Sequence, residues 1–353
     1  MVSTAGNRLV SSPDPTKDTM PRVTDATVTP RESIQVVRHE RNPGWRFDLG
    51  WIESSHVNRS AVERRTATLT TRRTVKKEWQ AAWLLRAIQC IDLTTLAGDD
   101  TPGNVHRLCA KARQPVRTDL LEALGVPDGA LHTAAVCVYH HFVVDAVAAL
   151  RGSGIPVAAV STGFPAGLVS HEVKLREIAD SVAAGAGEID VVISRHLVLT
   201  GDWRGLYDEV RQFRAACGDA HLKTILATGE LATLTNVARA SLVCMMAGAD
   251  FIKTSTGKES VNATLPVGLV MARAIRDFNE RSGGVVGLKP AGGIRTARQS
   301  TDWLALIKEE LGERWLSPDL FRFGASSLLG DIERQLEHHV TGAYSAGFRH
   351  PMA

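Results

Sequence analysis

No stretch of the 353 residues is apolar enough to cross a membrane. The run of ~18–20 apolar residues that a spanning helix needs is missing, and the N-terminus carries no signal-peptide core. Cysteine pairing is missing too. The five cysteines (Cys90, Cys109, Cys137, Cys217 and Cys244) are odd in number, widely spaced and without a C-x-x-C pair. That pattern argues against a disulfide framework or a zinc site and for reduced thiols in a cytosolic protein. Charge of one sign is also scarce: 41 Lys and Arg against 38 Asp and Glu leave a formal +3, with no dense basic run to hold nucleic acid. What is present is an ordinary globular composition, 44% hydrophobic and 22% charged, in a chain long enough to bury a sizeable core. These features predict a cytoplasmic protein with neither nucleic-acid nor membrane partners.

Residues 1–40 are rich in Ser, Thr, Pro and charge without periodicity, which predicts a disordered tail. Asp14, Asp18, Asp25 and Glu32 in that segment argue against an organelle-transit sequence. Residues 41–89 read as an N-terminal extension packing on the domain through Trp45, Phe47, Trp51 and Ile52. Within it, 74–88 is expected to form an amphipathic helix with Val75, Trp79, Trp83 and Ala87 on its buried stripe.

From residue 90 the chain settles into a rhythm. Short apolar runs end in small or polar residues, and a helix-like segment follows each: CIDLTTL, TAAVCVY, PVAAVSTGF, EIDVVIS, LKTILATG, DFIKTSTG, VVGLKPAGG and FRFGASS. The later units recur at roughly 30-residue intervals, the signature of parallel βα repeats. Eight such units over about 250 residues predict a closed (β/α)₈ TIM barrel of class α/β, spanning 90–345, with 346–353 a flexible C-terminal tail. An open doubly wound sheet would normally show fewer strands and a G-x-G-x-x-G after the first, and none is there.

Catalytic groups of such barrels sit at the C-terminal ends of strands. That rule selects Asp92, Cys137, Asp190, Lys223, Lys253 and Lys289. Taken singly, each has a plain structural explanation: a solvated lysine, a buried ion pair, a small apolar thiol. Their convergence on one mouth is what argues for chemistry. Lys253 and Lys289 lie one βα unit apart, at the same height on neighbouring strands. Two ammonium groups ~5 Å apart at an effective dielectric of ~20 repel by roughly 3 kcal/mol. The repulsion, with desolvation, pushes one amine toward neutrality and makes it a Schiff-base nucleophile. Lys253 is expected in that role, with Lys289 charged beside it. The Gly-rich loops TSTGK, PAGGIR and FGASS, which follow the last three strands, are placed where barrels cradle phosphate.

Taken together, DFIKTSTGK, VGLKPAGGIRT, EIDVVI, IDLTTL and FRFGASS resemble the deoxyribose-phosphate aldolase family, and RRTVKKEWQAAWLL resembles its longer, animal-type branch. The resemblance covers about residues 74–345. It implies a metal-independent, cofactor-free class I lyase that reversibly cleaves 2-deoxy-D-ribose 5-phosphate to D-glyceraldehyde 3-phosphate and acetaldehyde, in a possible homo-oligomer. Lys253 would be the Schiff-base residue, Lys289 its tuning partner and Asp190 the acid of a proton relay. Asp92 would face the sugar hydroxyls and Cys137 would line the pocket. Thr256, Gly257, Lys258, Gly292, Gly293, Ser326 and Ser327 would hold the phosphate. Two other readings stand beside it: a transaldolase-like Schiff-base enzyme with a ketose donor, and a sugar-phosphate-binding protein without turnover. The second has no use for both lysines and Asp190.

Overall fold

The structure is a computed structural model that describes Met1 and residues 41–351. Apart from Met1, the tail expected over 1–40 lies outside the described residues. Eight strands, one from each predicted apolar run, alternate with helices: β1 (Ile91–Thr94), β2 (Ala135–Tyr139), β3 (Val157–Ser161), β4 (Glu188–Val192), β5 (His221–Ile225), β6 (Phe251–Lys253), β7 (Gly287–Lys289) and β8 (Phe323–Ala325). All pair in parallel in the order β7-β6-β5-β4-β3-β2-β1-β8. Parallel bridges Leu288–Phe321 and Ala291–Gly324 bring the two ends of the sheet together, so the sheet forms a nearly closed barrel.

Among the described residues, four helices precede the barrel: α1 (Leu49–Ser54), α2 (Arg59–Ala67), α3 (Leu69–Arg72) and α4 (Lys77–Gln89). The surrounding ring comprises α5 (Pro102–Arg113), α6 (Thr118–Ala123), α7 (Val143–Ala149), α8 (His171–Ala183), α9 (Arg195–Thr200), α10 (Trp203–Cys217), α11 (Leu234–Met246), α12 (Leu265–Ser282), α13 (Ala297–Leu311) and α14 (Leu328–Thr341). Strand residues that face outward, such as Leu93, Val136, Ile189, Val191, Leu222, Ile252 and Leu288, join the helices in one large apolar core. A separate small cluster, Cys137, Ala158 and Val160, faces inward.

The N-terminal extension packs as well as precedes. Trp51 stacks on Phe278 of α12 with ring centroids 6.1 Å apart, and the Asn42 side chain donates to the backbone carbonyls of Met245 and Ala249. The buried face of α4 differs from the expected stripe. Ala81, Leu84, Ala87 and Ile88 are buried, whereas Trp79 is 61% exposed. Successive i+4 steps overshoot a helical turn by about 40° each, so a row built only of such steps winds off the buried face. At the other terminus, the expected flexible tail is held down as far as His350. Residues Gly347–Arg349 form a 3₁₀ turn, and the His350 Nε2 lies 2.5 Å from the Glu337 carboxylate.

One packing detail fixes the barrel floor. Phe251 on β6 is paired in register with Gly287 on β7, and a methyl group at Gly287 would lie 2.3 Å from the Phe251 ring. The glycine is there to admit the aromatic ring. Gly287→Ala is therefore expected to destabilise the fold by about 1–3 kcal/mol through overpacking. An unchanged midpoint in a urea titration would refute this.

Candidate active site

Successive side chains of a strand point to opposite faces, so EIDVVI sends Ile189 and Val191 to the helices and Glu188 and Asp190 into the barrel. Register then sets the heights. Asp190 pairs with Lys223 and Lys223 with Phe251, while Ile225 pairs with Lys253 and Lys253 with Lys289. Lys253 and Lys289 thus stand side by side, one inward-facing tier above Asp190.

The amines of both reach back to that carboxylate. Lys253 Nζ and Lys289 Nζ each lie 2.7 Å from Asp190 Oδ2, and Lys223 Nζ lies 2.9 Å from Oδ1. Lys289 also meets Asp92 Oδ2 at 2.5 Å, and Lys223 meets Glu188 Oε2 at 2.5 Å. Arg322 closes the network from beside β8, with Asp92 Oδ1 at 2.5 Å and Glu188 Oε1 at 3.0 Å. All seven groups are buried.

Burial disfavours every charge here, and the number of opposite charges in contact decides each outcome. Burial alone would raise the Asp190 pKa, but the three ammonium groups hold it well below the ordinary carboxylate value. Asp92 and Glu188 are likewise lowered against burial, chiefly by Arg322. Burial works to lower Lys223, Lys289 and Arg322, yet each pairs with two or three carboxylates and ends raised. Lys253 touches only Asp190 and ends lowered: burial is the first cause, Asp190 opposes it, and Lys289 adds to it. Desolvation, and not the expected repulsion by Lys289, is thus the leading cause. With Lys253 neutral, three carboxylates face three cations and the cluster is balanced.

Above this cluster the walls are apolar on one side and donor-rich on the other. Cys137 packs with Ala158, Val160, Leu96, Tyr139 and Phe164, and burial raises its thiol pKa, so it stays a neutral wall. On the other side Gly257 and Gly292 approach closely: a methyl at Gly257 would lie 3.8 Å from the Gly292 Cα. Gly292 and Gly293 both take left-handed φ values, 81° and 83°. Ser326 and Ser327 are exposed at the start of α14, and Lys258 is exposed on the β6 loop. The three loops therefore share one rim.

A model of the DeoC/LacD family of aldolases matches residues 86–329. The chain belongs to that family. It is 64% identical over 312 residues to a deoxyribose-phosphate aldolase from Mus musculus, an alignment covering 88% of this chain and 98% of the mouse protein. The deoxyribose-phosphate aldolase from Homo sapiens is 62% identical over 314 residues, covering 88% and 99%. Among solved structures, a tetrameric deoxyribose phosphate aldolase from Aeropyrum pernix shares the fold at a TM-score of 0.55 and 22% identity, over 76% of this chain and all of that one.

Within this aldolase barrel the structure gathers Asp190, Lys253, Lys289, Asp92 and Cys137 at one centre and leaves the loop residues on the rim. Asp92, expected to face the sugar hydroxyls, is engaged by its own chain. It is fully buried, with one oxygen on Arg322 and the other on Lys289, so it holds the lysine. Lys223, which could have been a mere strand entrance, is a full member of the cluster. Sequence reasoning passed over Glu188 and Arg322. Their signals were there: Glu188 lies two residues before Asp190 and so on the same face, and Arg322 interrupts the apolar pair Phe321 and Phe323.

The arrangement makes two pH shifts of opposite sign. Lys289→Leu removes a cation near Lys253, so the ammonium persists to higher pH and the acidic limb of the kcat/KM profile moves up. Asp190→Asn removes the anion that favours the ammonium, so that limb moves down, while kcat falls by about 10²–10⁴ from loss of proton transfer. Profiles that move in the same direction, or not at all, would contradict the electrostatic assignment.

Proposed function

We propose that this chain is a Schiff-base aldolase that reversibly cleaves 2-deoxy-D-ribose 5-phosphate to D-glyceraldehyde 3-phosphate and acetaldehyde, without a metal or cofactor. Its relatives from mouse and human carry the name of that activity over nearly their whole lengths. The observation that carries the mechanism is the single lowered amine among the four basic groups of the cluster: Lys253 touches one carboxylate where its neighbours touch two or more.

The neutral Lys253 amine attacks the aldehyde carbon of the open-chain sugar, and loss of water gives an iminium. Proton removal from the C3 hydroxyl then lets the C2–C3 bond break, and its electron pair flows into the iminium to leave an enamine. D-glyceraldehyde 3-phosphate departs. Protonation of the enamine carbon and hydrolysis release acetaldehyde and restore the amine. Asp190, held ionised, orients the amine and receives protons in transit with water. Lys289, held charged, supplies a fixed positive field beside the developing charge. Asp92, Glu188, Lys223 and Arg322 position these groups. Thr256, Gly257, Lys258, Gly292, Gly293, Ser326 and Ser327 take the phosphate, and the apolar wall around Cys137 borders the reacting carbons.

We place the enzyme in the cytoplasm, working in deoxyribonucleoside breakdown, as a homo-oligomer. All five cysteines are free and buried, and no helix among the described residues is long and apolar enough to cross a membrane.

Borohydride reduction in the presence of acetaldehyde is expected to trap one adduct, mapped by mass spectrometry to Lys253, and Lys253→Ala should abolish both trapping and turnover. An adduct on Lys289 or Lys223 would overturn the nucleophile. The phosphate assignment has its own measurement, the ratio of kcat/KM for 2-deoxyribose 5-phosphate to that for 2-deoxyribose. Lys258→Ala should lower this ratio roughly tenfold to a hundredfold, the worth of one charge-assisted contact. Equal losses on both sugars would remove Lys258 from the cradle.

A further inference from the structure

The β6 loop already holds an anion of its own. The Glu259 carboxylate accepts from the Thr256 backbone N–H at 3.0 and 3.1 Å, from Thr256 Oγ1 at 2.8 Å and from the Gly257 N–H at 3.2 Å. These are donors that the proposed phosphate cradle requires, so carboxylate and phosphate cannot both have them. The backbone at Glu259 is anchored independently, because Asn262 Nδ2 donates to its carbonyl oxygen at 2.8 Å. Asn262 in turn packs where Gly292 has no side chain: a methyl there would meet it at 2.7 Å. Glu259 is only half-buried. Its side chain is thus free to swing outward while the loop stays in place.

We propose that Glu259 is a binding-site residue that sets phosphate affinity, an internal competitor that the substrate's phosphate must displace from the β6 loop. This rests on the reading of that loop as a phosphate cradle. The chemistry selects for charge. A phosphate monoester brings about −1.5 to −2 charges and three strong acceptor oxygens at neutral pH, and gains more from the donors than a carboxylate does. A monoanion exchanges like for like, and a neutral sugar cannot compete at all. Glu259 therefore lowers the apparent affinity of every anion that must displace it by the same factor, and leaves a neutral sugar that does not use these donors unaffected. A carboxylate that merely shapes the loop predicts the reverse, since its removal would disorder the donors and weaken phosphate binding.

The sign of the change decides. Inorganic phosphate and glycolate, a dianion and a monoanion, are used as competitive inhibitors of the enzyme and of Glu259→Gln and Glu259→Ala. The inhibition constant for phosphate is expected to fall about tenfold, the scale of one charge-assisted contact freed for the ligand. That for glycolate is expected to fall by a similar factor, since both anions must displace the same carboxylate. Phosphate constants that stay the same or rise in the glutamine variant overturn the proposal. The glutamine keeps the shape of the side chain, so it decides the matter should the alanine variant disturb the loop. The Lys258→Ala ratio tests the cradle separately: if it discriminates between the two sugars while the Glu259 variants bind phosphate no better, only the competitor role fails.

Discussion

Asp190 makes contact with three buried ammonium groups, and the chemistry above it depends on that sharing. One carboxylate cannot satisfy three cations. Lys289 completes its neutralisation with Asp92, Lys223 with Glu188, and Arg322 ties those two carboxylates together. Lys253 is left with Asp190 alone. Its low proton affinity is therefore a property of the whole arrangement, in which the anions are one short of the bases and the shortage falls on the least-partnered group. The lowered proton affinity of the Lys253 amine follows from its contacts.

Such an interior is costly. Barrels of this type are usually filled with branched apolar side chains in layers, and each buried ion carries an effective desolvation penalty of several kcal/mol. The apolar core between strands and helices must offset this, and it is extensive. The charged network is what a catalyst gains in exchange. Its members are fixed on strands, their charges are already in place before reaction, and little reorganisation is needed when charge develops on the substrate. Phe251 closes the floor below, with the Arg322 guanidinium 5.7 Å from its ring centroid, and Gly287 gives that ring its space.

The barrel was legible in the sequence because its signal is local and repeated: eight apolar runs, each ending in turn residues, each followed by a helix. The pairing of Lys253 with Lys289 was legible because register follows from unit length. Where reading failed, partners distant in sequence decided. The strand-end position of Asp92 was legible, but not that Arg322, 230 residues away, and Lys289 take its oxygens. The leading role of desolvation over lysine repulsion could not be read from strand spacing, since it depends on how completely eight strands exclude water. The phase of α4 was misjudged by a row of tryptophans and alanine at steps that do not follow one helix face.

The two halves of the proposed site solve one problem in two ways. Each presents groups that call for an anion, and each is supplied with one from its own chain: Asp190 for the lysines and Glu259 for the loop amides. The difference lies in what surrounds them. Asp190 is fully buried among full positive charges, so nothing that enters the barrel can replace it, and it remains part of the catalyst through the reaction. Glu259 is half-exposed and accepts from neutral amides and a hydroxyl, so a more strongly charged ligand can take its place. Permanence is suited to a group that tunes the amine in every step, and displacement to one that only meets the substrate on arrival. A carboxylate serves both because burial and the charge of its partners, not its own chemistry, set how firmly it is held.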